Sequence, residues 1–174
     1  MYNDIPTSKK ISKTIITMLF LFIVIAIVFV VVNRVAPFRI VGHSMEPTFT
    51  NSELVLAMAK KEYNRGDIIA FKTNEGTAIK RIVGLPGETV YIKDNGEITI
   101  NGTLLKEDYI PKDSLFKGDV ETSNPYTLKT DEYYVLGDNR KDSKDSRYIK
   151  VGAVKKEDIK SKIFFSISNL KSIE

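Results

Sequence analysis

Three short strings hold the residues whose types could do chemistry. Gly42-His43-Ser44-Met45-Glu46-Pro47-Thr48-Phe49 offers a hydroxyl, and Lys80-Arg81-Ile82-Val83-Gly84-Leu85-Pro86-Gly87 offers an amine. The third, Gly137-Asp138-Asn139-Arg140-Lys141-Asp142-Ser143-Lys144-Asp145-Ser146-Arg147, brings carboxylates, guanidiniums and a second hydroxyl. A serine hydroxyl is a weak nucleophile until a neighbouring base takes its proton, and that base is most often histidine. His43 is the one histidine of the chain. Adjacent side chains of an extended backbone point to opposite faces, so His43 is badly placed to reach the Ser44 hydroxyl and reads as a loop residue without a chemical role. A single histidine in a chain without cysteine also leaves no zinc site of three or four protein ligands.

Lysine is the remaining base, provided burial lowers its pKa from about 10.4 toward neutrality. Strand alternation puts Lys80 on the face of Ala78 and Ile82, with Ile79, Arg81 and Val83 on the other. Apolar neighbours on its own face favour the uncharged amine. A lysine in a strand is more often a surface residue, and it is the company of Ser44 that singles out Lys80. Pro47 fixes its own φ and restricts Glu46, while Met45 can bury a flexible thioether beneath the site, so Ser44 can be held still. Taken alone, the third string passes for a surface loop or a calcium loop. Its acids do not follow the EF-hand order, however, and Arg140, Lys141, Lys144 and Arg147 oppose a divalent cation. An Asp-Arg pair and a serine hydroxyl from this string suit the task of orienting the lysine amine.

These strings need a frame. From Thr14 to Val32 there is no charged residue, and nineteen residues at about 1.5 Å each span the roughly 30 Å hydrocarbon core of a bilayer. A cleavable signal peptide has a shorter apolar region of about 7–15 residues followed by a small-residue cleavage site, so this run reads as an uncleaved anchor. Lys9, Lys10 and Lys13 before it, against Arg34 and Arg39 after it, put the tail in the cytoplasm and the domain outside. The expected layout is a cytoplasmic tail over 1–13, a transmembrane helix over 14–33 and an extracytoplasmic catalytic β domain over 34–174, in a single-pass protein of the cell membrane.

Beyond Arg34, short β-branched and aromatic runs alternate with Gly, Asn, Asp and Pro turns, which predicts a mainly β fold of short antiparallel strands. The strands expected are Phe38–Val41, Glu53–Ala57, Asp67–Phe71, Ala78–Val83, Thr89–Lys93, Glu97–Ile100, Glu132–Leu136 and Ile163–Ile167. Asp94-Asn95-Gly96 and Asn101-Gly102 predict consecutive hairpins over Thr89 to Leu105. Lys106 to Lys129 is polar and punctuated by Pro111, Gly118 and Pro125, which marks it as the variable excursion, and a short helical turn is expected around Lys155–Asp158.

Composition narrows the function further. The chain has 174 residues, 43% of them hydrophobic, enough for one anchored domain of the usual size of about 100–150 residues. Without cysteine there are no disulfides, thiolate metal sites or cysteine nucleophile. Of the formal charge of +4, the leading tail carries +2, and the later lysines are interleaved with acids, so no basic stripe for nucleic acid is present.

With the three strings in this order behind one apolar segment, the sequence resembles the bacterial type I signal peptidases. The resemblance covers the anchor and runs from about Arg39 to Arg147, and Arg65-Gly66-Asp67-Ile68-Ile69 resembles another box of that family. It implies a membrane-anchored β domain with a Ser/Lys dyad that removes signal peptides from translocated preproteins, without metal or organic cofactor. Under it Ser44 is the nucleophile and Lys80 the general base, Ser143 orients the lysine, Asp145 and Arg147 form a salt bridge, and Arg81 and Asp138 support the site. Many members carry Ser or Thr where this chain has Gly42, so a side-chain oxyanion donor is absent there and the Ser44 backbone N–H remains, with the second donor, another backbone N–H or a water, left open. The implied partners are preprotein signal peptides with small residues one and three positions before the cut, the lipid bilayer and the secretion translocon. The alternative role is that of a signal-peptidase-like protein that processes pilins or assists pilus assembly. A self-cleaving repressor-type protease shares the chemistry but requires a DNA-binding domain, and an anchored adhesion or binding module is the generic competitor.

Overall fold

The computed structural model describes residues 13–111 and 120–173. The first twelve residues, and positions 112–119 of the expected excursion, lie outside the described residues. By contact the chain divides into two units, Met1–Val35 and Ala36–Glu174. In the first unit a helix, α1, runs over Lys13–Arg34. Its side chains are described through Phe29 and at Val32 and Arg34, and all of these are exposed. Among the described residues no helix is long and apolar enough to cross a membrane.

The second unit is built from two sheets. The larger has eight strands in the order β1 (Val35–Arg39), β2 (Leu54–Met58), β11 (Ile159–Ser166), β3 (Ile68–Thr73), β4 (Gly76–Gly84), β9 (Glu132–Leu136) and β10 (Val154–Lys155), with β12 (Lys171–Ser172) also on β11. The smaller runs β7 (Thr103–Leu104), β6 (Ile98–Ile100), β5 (Thr89–Ile92) and β8 (Tyr126–Thr127). The expected mainly antiparallel β fold is the one observed, and β5, β6 and β7 pair successively antiparallel, as the Asn-Gly turns require. Lys156–Asp158 forms a short 3-10 turn where a helical turn was expected.

Alternation on the central strands sorts the core into layers. Ile69 and Phe71 of β3, Ile82 of β4, and Tyr133 and Val135 of β9 share one cluster, against which Ala78 packs. On the opposite side, Val83, Tyr134 and Leu136 meet the smaller sheet through Val90, Ile92, Ile98 and Ile100. A third cluster joins Met45 and Phe49 to Ile40, Val55, Ala57, Ile68 and Ile163. Full burial of each such side chain contributes roughly 1.5–3 kcal/mol. The central sheet is therefore covered on both faces, and polar residues on β4 can be charged only if they find partners. Gly84 sits where a Cβ would come within 2.6 Å of Val90 Cγ2, so the absence of a side chain there lets the two sheets close.

Register places the chemistry. β3 and β4 pair with Ile69 opposite Lys80 and Ile68 opposite Arg81. β4 and β9 pair with Arg81 opposite Leu136, which brings the loop after β9, beginning at Gly137, to the middle of β4.

Candidate active site

The Ser44 turn is short and internally bonded. Glu46 N–H donates to His43 O at 3.1 Å and Phe49 N–H to Met45 O at 2.9 Å. Met45 is buried and joins Phe49 in the third core cluster, which pins the turn from below. From the side, Asn139 ties down both flanking carbonyls, its N–H donating to Ser44 O at 3.1 Å and its Nδ2 to His43 O at 3.2 Å. Asn139 belongs to the third string but was not singled out from sequence, because nothing local reveals that its two donors converge on a turn almost a hundred residues earlier.

Lys80 Nζ donates to Ser44 Oγ at 2.8 Å and to Ile79 O at 3.0 Å. The residue is 6% exposed, on the strand face it shares with Ala78 and Ile82. Burial pushes the amine below its ordinary 10.5, while the Asp145 and Asp138 carboxylates pull it up and Arg147 pushes it down. The outcome is a lysine that surrenders its proton more readily than one in water, in hydrogen-bond contact with a hydroxyl.

Two buried carboxylate–guanidinium pairs flank this contact. Arg147 forks Asp145, Nε to Oδ1 at 2.7 Å and Nη2 to Oδ2 at 2.9 Å, and Asp145 Oδ2 also accepts Gly137 N–H at 3.0 Å and Ser143 Oγ at 2.7 Å. Arg81 forks Asp138, Nε to Oδ1 at 2.9 Å and Nη2 to Oδ2 at 2.7 Å, with Thr48 Oγ1 donating to the same carboxylate at 2.5 Å. Fully desolvated forks of this kind are strong only when every remaining lone pair finds a donor, and the Gly137, Ser143 and Thr48 donors supply that requirement. Ser143 is thus brought to the site, but its described hydrogen bond runs to Asp145, so it is joined to the lysine through the carboxylate.

Gly137 is the residue that lets these pieces close. A Cβ there would lie 2.2 Å from Ser143 Oγ and 2.5 Å from the Ser44 carbonyl oxygen. Gly42, by contrast, has open space around it and a φ of 89°, a left-handed backbone that favours glycine. His43 is exposed and its Nδ1 lies 2.8 Å from Glu46 Oε1. That contact raises its pKa, and the ring points to Glu46 and not to Ser44. Among the described residues no group of three His, Asp or Glu side chains converges as a metal site.

The excursion expected to be variable begins with two residues that belong to this neighbourhood. Glu107 accepts both terminal nitrogens of Arg140, at 2.9 and 2.5 Å, and the Tyr109 ring lies under the Arg81 guanidinium, 4.1 Å from its centroid. The start of that stretch is therefore fixed on the third string.

Residues 12–168 match the family model described as signal peptidase, peptidase S26. The chain is 35% identical over 166 residues to signal peptidase I P of Bacillus subtilis subsp. natto, covering 86% of this chain and 88% of that protein. It is 38% identical over 138 residues to signal peptidase I S of Bacillus subtilis strain 168, covering 72% of this chain and 74% of that one. A crystal structure of a signal peptidase I from Enterococcus faecalis V583 aligns with a TM-score of 0.48 at 36% identity, covering 60% of this chain and 98% of that one. The chain belongs to the signal peptidase family, peptidase S26.

Proposed function

We propose that this serine peptidase removes amino-terminal signal peptides with Ser44 as nucleophile and Lys80 as general base. The observation that carries the reading is the 2.8 Å contact between Lys80 Nζ and Ser44 Oγ, made by an amine whose pKa burial lowers. The cleavage region of a preprotein lies extended and pairs by β-addition with an exposed strand. The edge strand β1, which runs into the Ser44 turn, supports this placement. Small side chains one and three positions before the cut enter shallow pockets.

Neutral Lys80 takes the Ser44 proton as Oγ attacks the scissile carbonyl, and the Ser44 N–H receives the oxyanion. The lysine ammonium then gives its proton to the departing amine, leaving an acyl-enzyme on Ser44. A water, deprotonated by Lys80, attacks the ester and releases the signal peptide, and the proton returns to Oγ. Asp145 and Asp138, each held by its own arginine, fix the field around the amine without taking its proton.

α1 is the anchor in this reading. The support is the sequence, in which Thr14 to Val32 is an uncharged run of nineteen residues, together with the exposure of the described apolar side chains of the helix. The amino terminus is then cytoplasmic and the β domain extracytoplasmic, where the bilayer and the secretion translocon deliver the substrate.

The test is to incubate the full-length protein in detergent with a preprotein and sequence the new amino terminus. Cleavage after small residues at the two positions, abolished by Ser44→Ala, is the expected result. Cleavage that persists in Ser44→Ala would remove the proposed nucleophile.

A further inference from the structure

Glu107 and Tyr109 lie outside the three strings, yet they sit on the side chains that hold the site together. Arg140 is buried, with its side chain 2% exposed and that of Glu107 7% exposed. Glu107 takes both terminal nitrogens of this guanidinium, and Arg140 Nε donates to Gly137 O at 3.0 Å. The Arg140 carbonyl in turn receives Nη1 of Arg147 at 2.9 Å, so the same residue braces the arginine that forks Asp145. Tyr109 hydrogen-bonds Glu107 through its hydroxyl, and its ring supports Arg81, the arginine that forks Asp138. Both guanidiniums thus meet one short segment, Glu107 to Tyr109.

On the assumption that Ser44 and Lys80 are the dyad, we infer that Glu107 and Tyr109 are positioning residues for the reaction: they set Arg140 and Arg81, and through them the Gly137–Asn139 turn that grips Ser44. Gly137 is the point of leverage. Its N–H is held by Asp145, its carbonyl by Arg140, and its α-carbon is packed on both Ser143 and the Ser44 carbonyl. The N–H of Asn139, two residues on, bonds the same Ser44 carbonyl. A guanidinium buried without its carboxylate seeks another acceptor or water, and either movement drags Gly137 O with it. Displacing reacting groups by about 1 Å from a remote position costs up to roughly 10²-fold in rate, which is the scale on which this brace acts.

The experiment measures kcat and KM of the full-length protein on a peptide substrate, with kcat expressed per folded molecule from the circular dichroism melt of each variant. Glu107→Gln should lower kcat about tenfold with KM within about twofold of wild type, since only the positioning of reacting groups changes. Glu107→Asp, which keeps the charge, should recover most of that loss. Tyr109→Phe, which keeps the ring under Arg81 but loses the hydroxyl on Glu107, should lower kcat by about threefold. Lys106→Gln, at an exposed neighbour paired only with Asp108, should match wild type. Wild-type kcat per folded molecule in both Glu107→Gln and Tyr109→Phe, with only the melting temperature reduced, would make the segment a plain structural brace and overturn the inference. A loss confined to KM would overturn it as well, by placing the segment against the substrate. If Glu107→Gln does not fold, Glu107→Asp and Tyr109→Phe decide by the same criteria. Failure of the dyad itself is read separately, from turnover in Ser44→Ala.

Discussion

Ser143 Oγ donates to Asp145 Oδ2 at 2.7 Å, so its proton is committed to the carboxylate. The hydroxyl therefore acts on the amine by fixing the Asp145 carboxylate, whose charge pulls the Lys80 pKa up. That role does not supply the base. Ser143→Ala should accordingly slow peptide cleavage by about 10–100-fold, the scale of one orienting hydrogen bond of roughly 1–3 kcal/mol. A loss as complete as that of Lys80→Ala would mean that Ser143 handles a proton itself.

Substituting Ser44 or Lys80 by Ala should each remove at least about 10⁴-fold of kcat, and the double variant should be no worse than either single one, if the two act in the one proton-coupled step proposed. Activity on a peptide substrate together with circular dichroism of each variant checks this. Additive losses would show that the residues contribute independently.

Gly137→Ala should be more damaging than Ser143→Ala, although it removes no functional group. The added Cβ meets Ser143 Oγ and the Ser44 carbonyl at 2.2 and 2.5 Å, and the second of these is backbone that must shift. Overpacking of this kind costs about 1–3 kcal/mol of stability, and the displaced Ser44 should cost about 10²-fold in kcat. Measured side by side, a Gly137→Ala enzyme as active as wild type would mean that the loop yields without disturbing Ser44.

The pH dependence follows from the sign of the Lys80 shift. Burial lowers the folded-state pKa below 10.5, so between the two values the unfolded chain holds a proton that the folded protein has released. Stability contributed by this residue therefore rises with pH across that window and is least where the amine is charged in both states. Activity should rise along the same limb if, as proposed, the neutral amine is the base. Lys80→Met, which removes the buried ammonium, should be inactive yet melt above wild type at neutral pH, with the gap narrowing as pH climbs toward 10.5. A cleavage limb at the value of free lysine, or a Lys80→Met protein less stable than wild type at neutral pH, would place the amine in water.

Much of this arrangement could be read from local pattern, and what could not has a common cause. The strands with alternating or continuous apolar runs, such as Ala78–Val83 and Glu132–Leu136, lie within or match β4 and β9 of the structure. The two-residue strands β7, β8, β10 and β12 escape, since two residues carry no period. β11 starts four residues before the expected Ile163 because Lys162 looks like an exposed residue. In the structure Lys162 is paired with Asp67 at 2.6 Å beneath the sheet. The facing of Lys80 follows from alternation, and the closeness of Ser44 follows from family resemblance and not from spacing. Glu107, Tyr109 and Asn139 were missed for another reason. Their partners are remote in sequence, and a polar residue in a polar stretch gives no sign of the distant arginine or carbonyl it will meet.

Asp145→Asn keeps the shape of the side chain but removes the charge that the Arg147 guanidinium forks, and Arg147 is 1% exposed. Breaking one member of a buried pair costs about 3–5 kcal/mol. Denaturant unfolding should show a loss on that scale, and replacing the arginine instead should give a similar one. A change below about 1 kcal/mol would indicate that the loop opens and hydrates the guanidinium.

Deleting residues 1–33 should leave a soluble domain that still cuts synthetic peptides but cuts bilayer-embedded preproteins more slowly. The chain divides by contact at Val35, and Ser44, Lys80 and Asp145 all belong to the second unit, whose clusters of buried apolar residues lie within it. The helix Lys13–Arg34 exposes Ile16, Phe20, Ile23 and Ile27 among other apolar side chains, which cost nothing in lipid but favour aggregation in water. Its removal should therefore raise solubility without touching the chemistry. Tethering enzyme and substrate to one bilayer raises their effective concentration, to the millimolar range for short flexible links, and the truncated domain forfeits that gain. At matched concentration, kcat/KM on a free peptide should be unchanged, whereas the rate on preprotein in vesicles should fall by about tenfold or more. Equal rates for both forms on the vesicle substrate would remove the anchoring role from Thr14 to Val32, and a truncated domain inactive on free peptide would show that the helix also shapes the site.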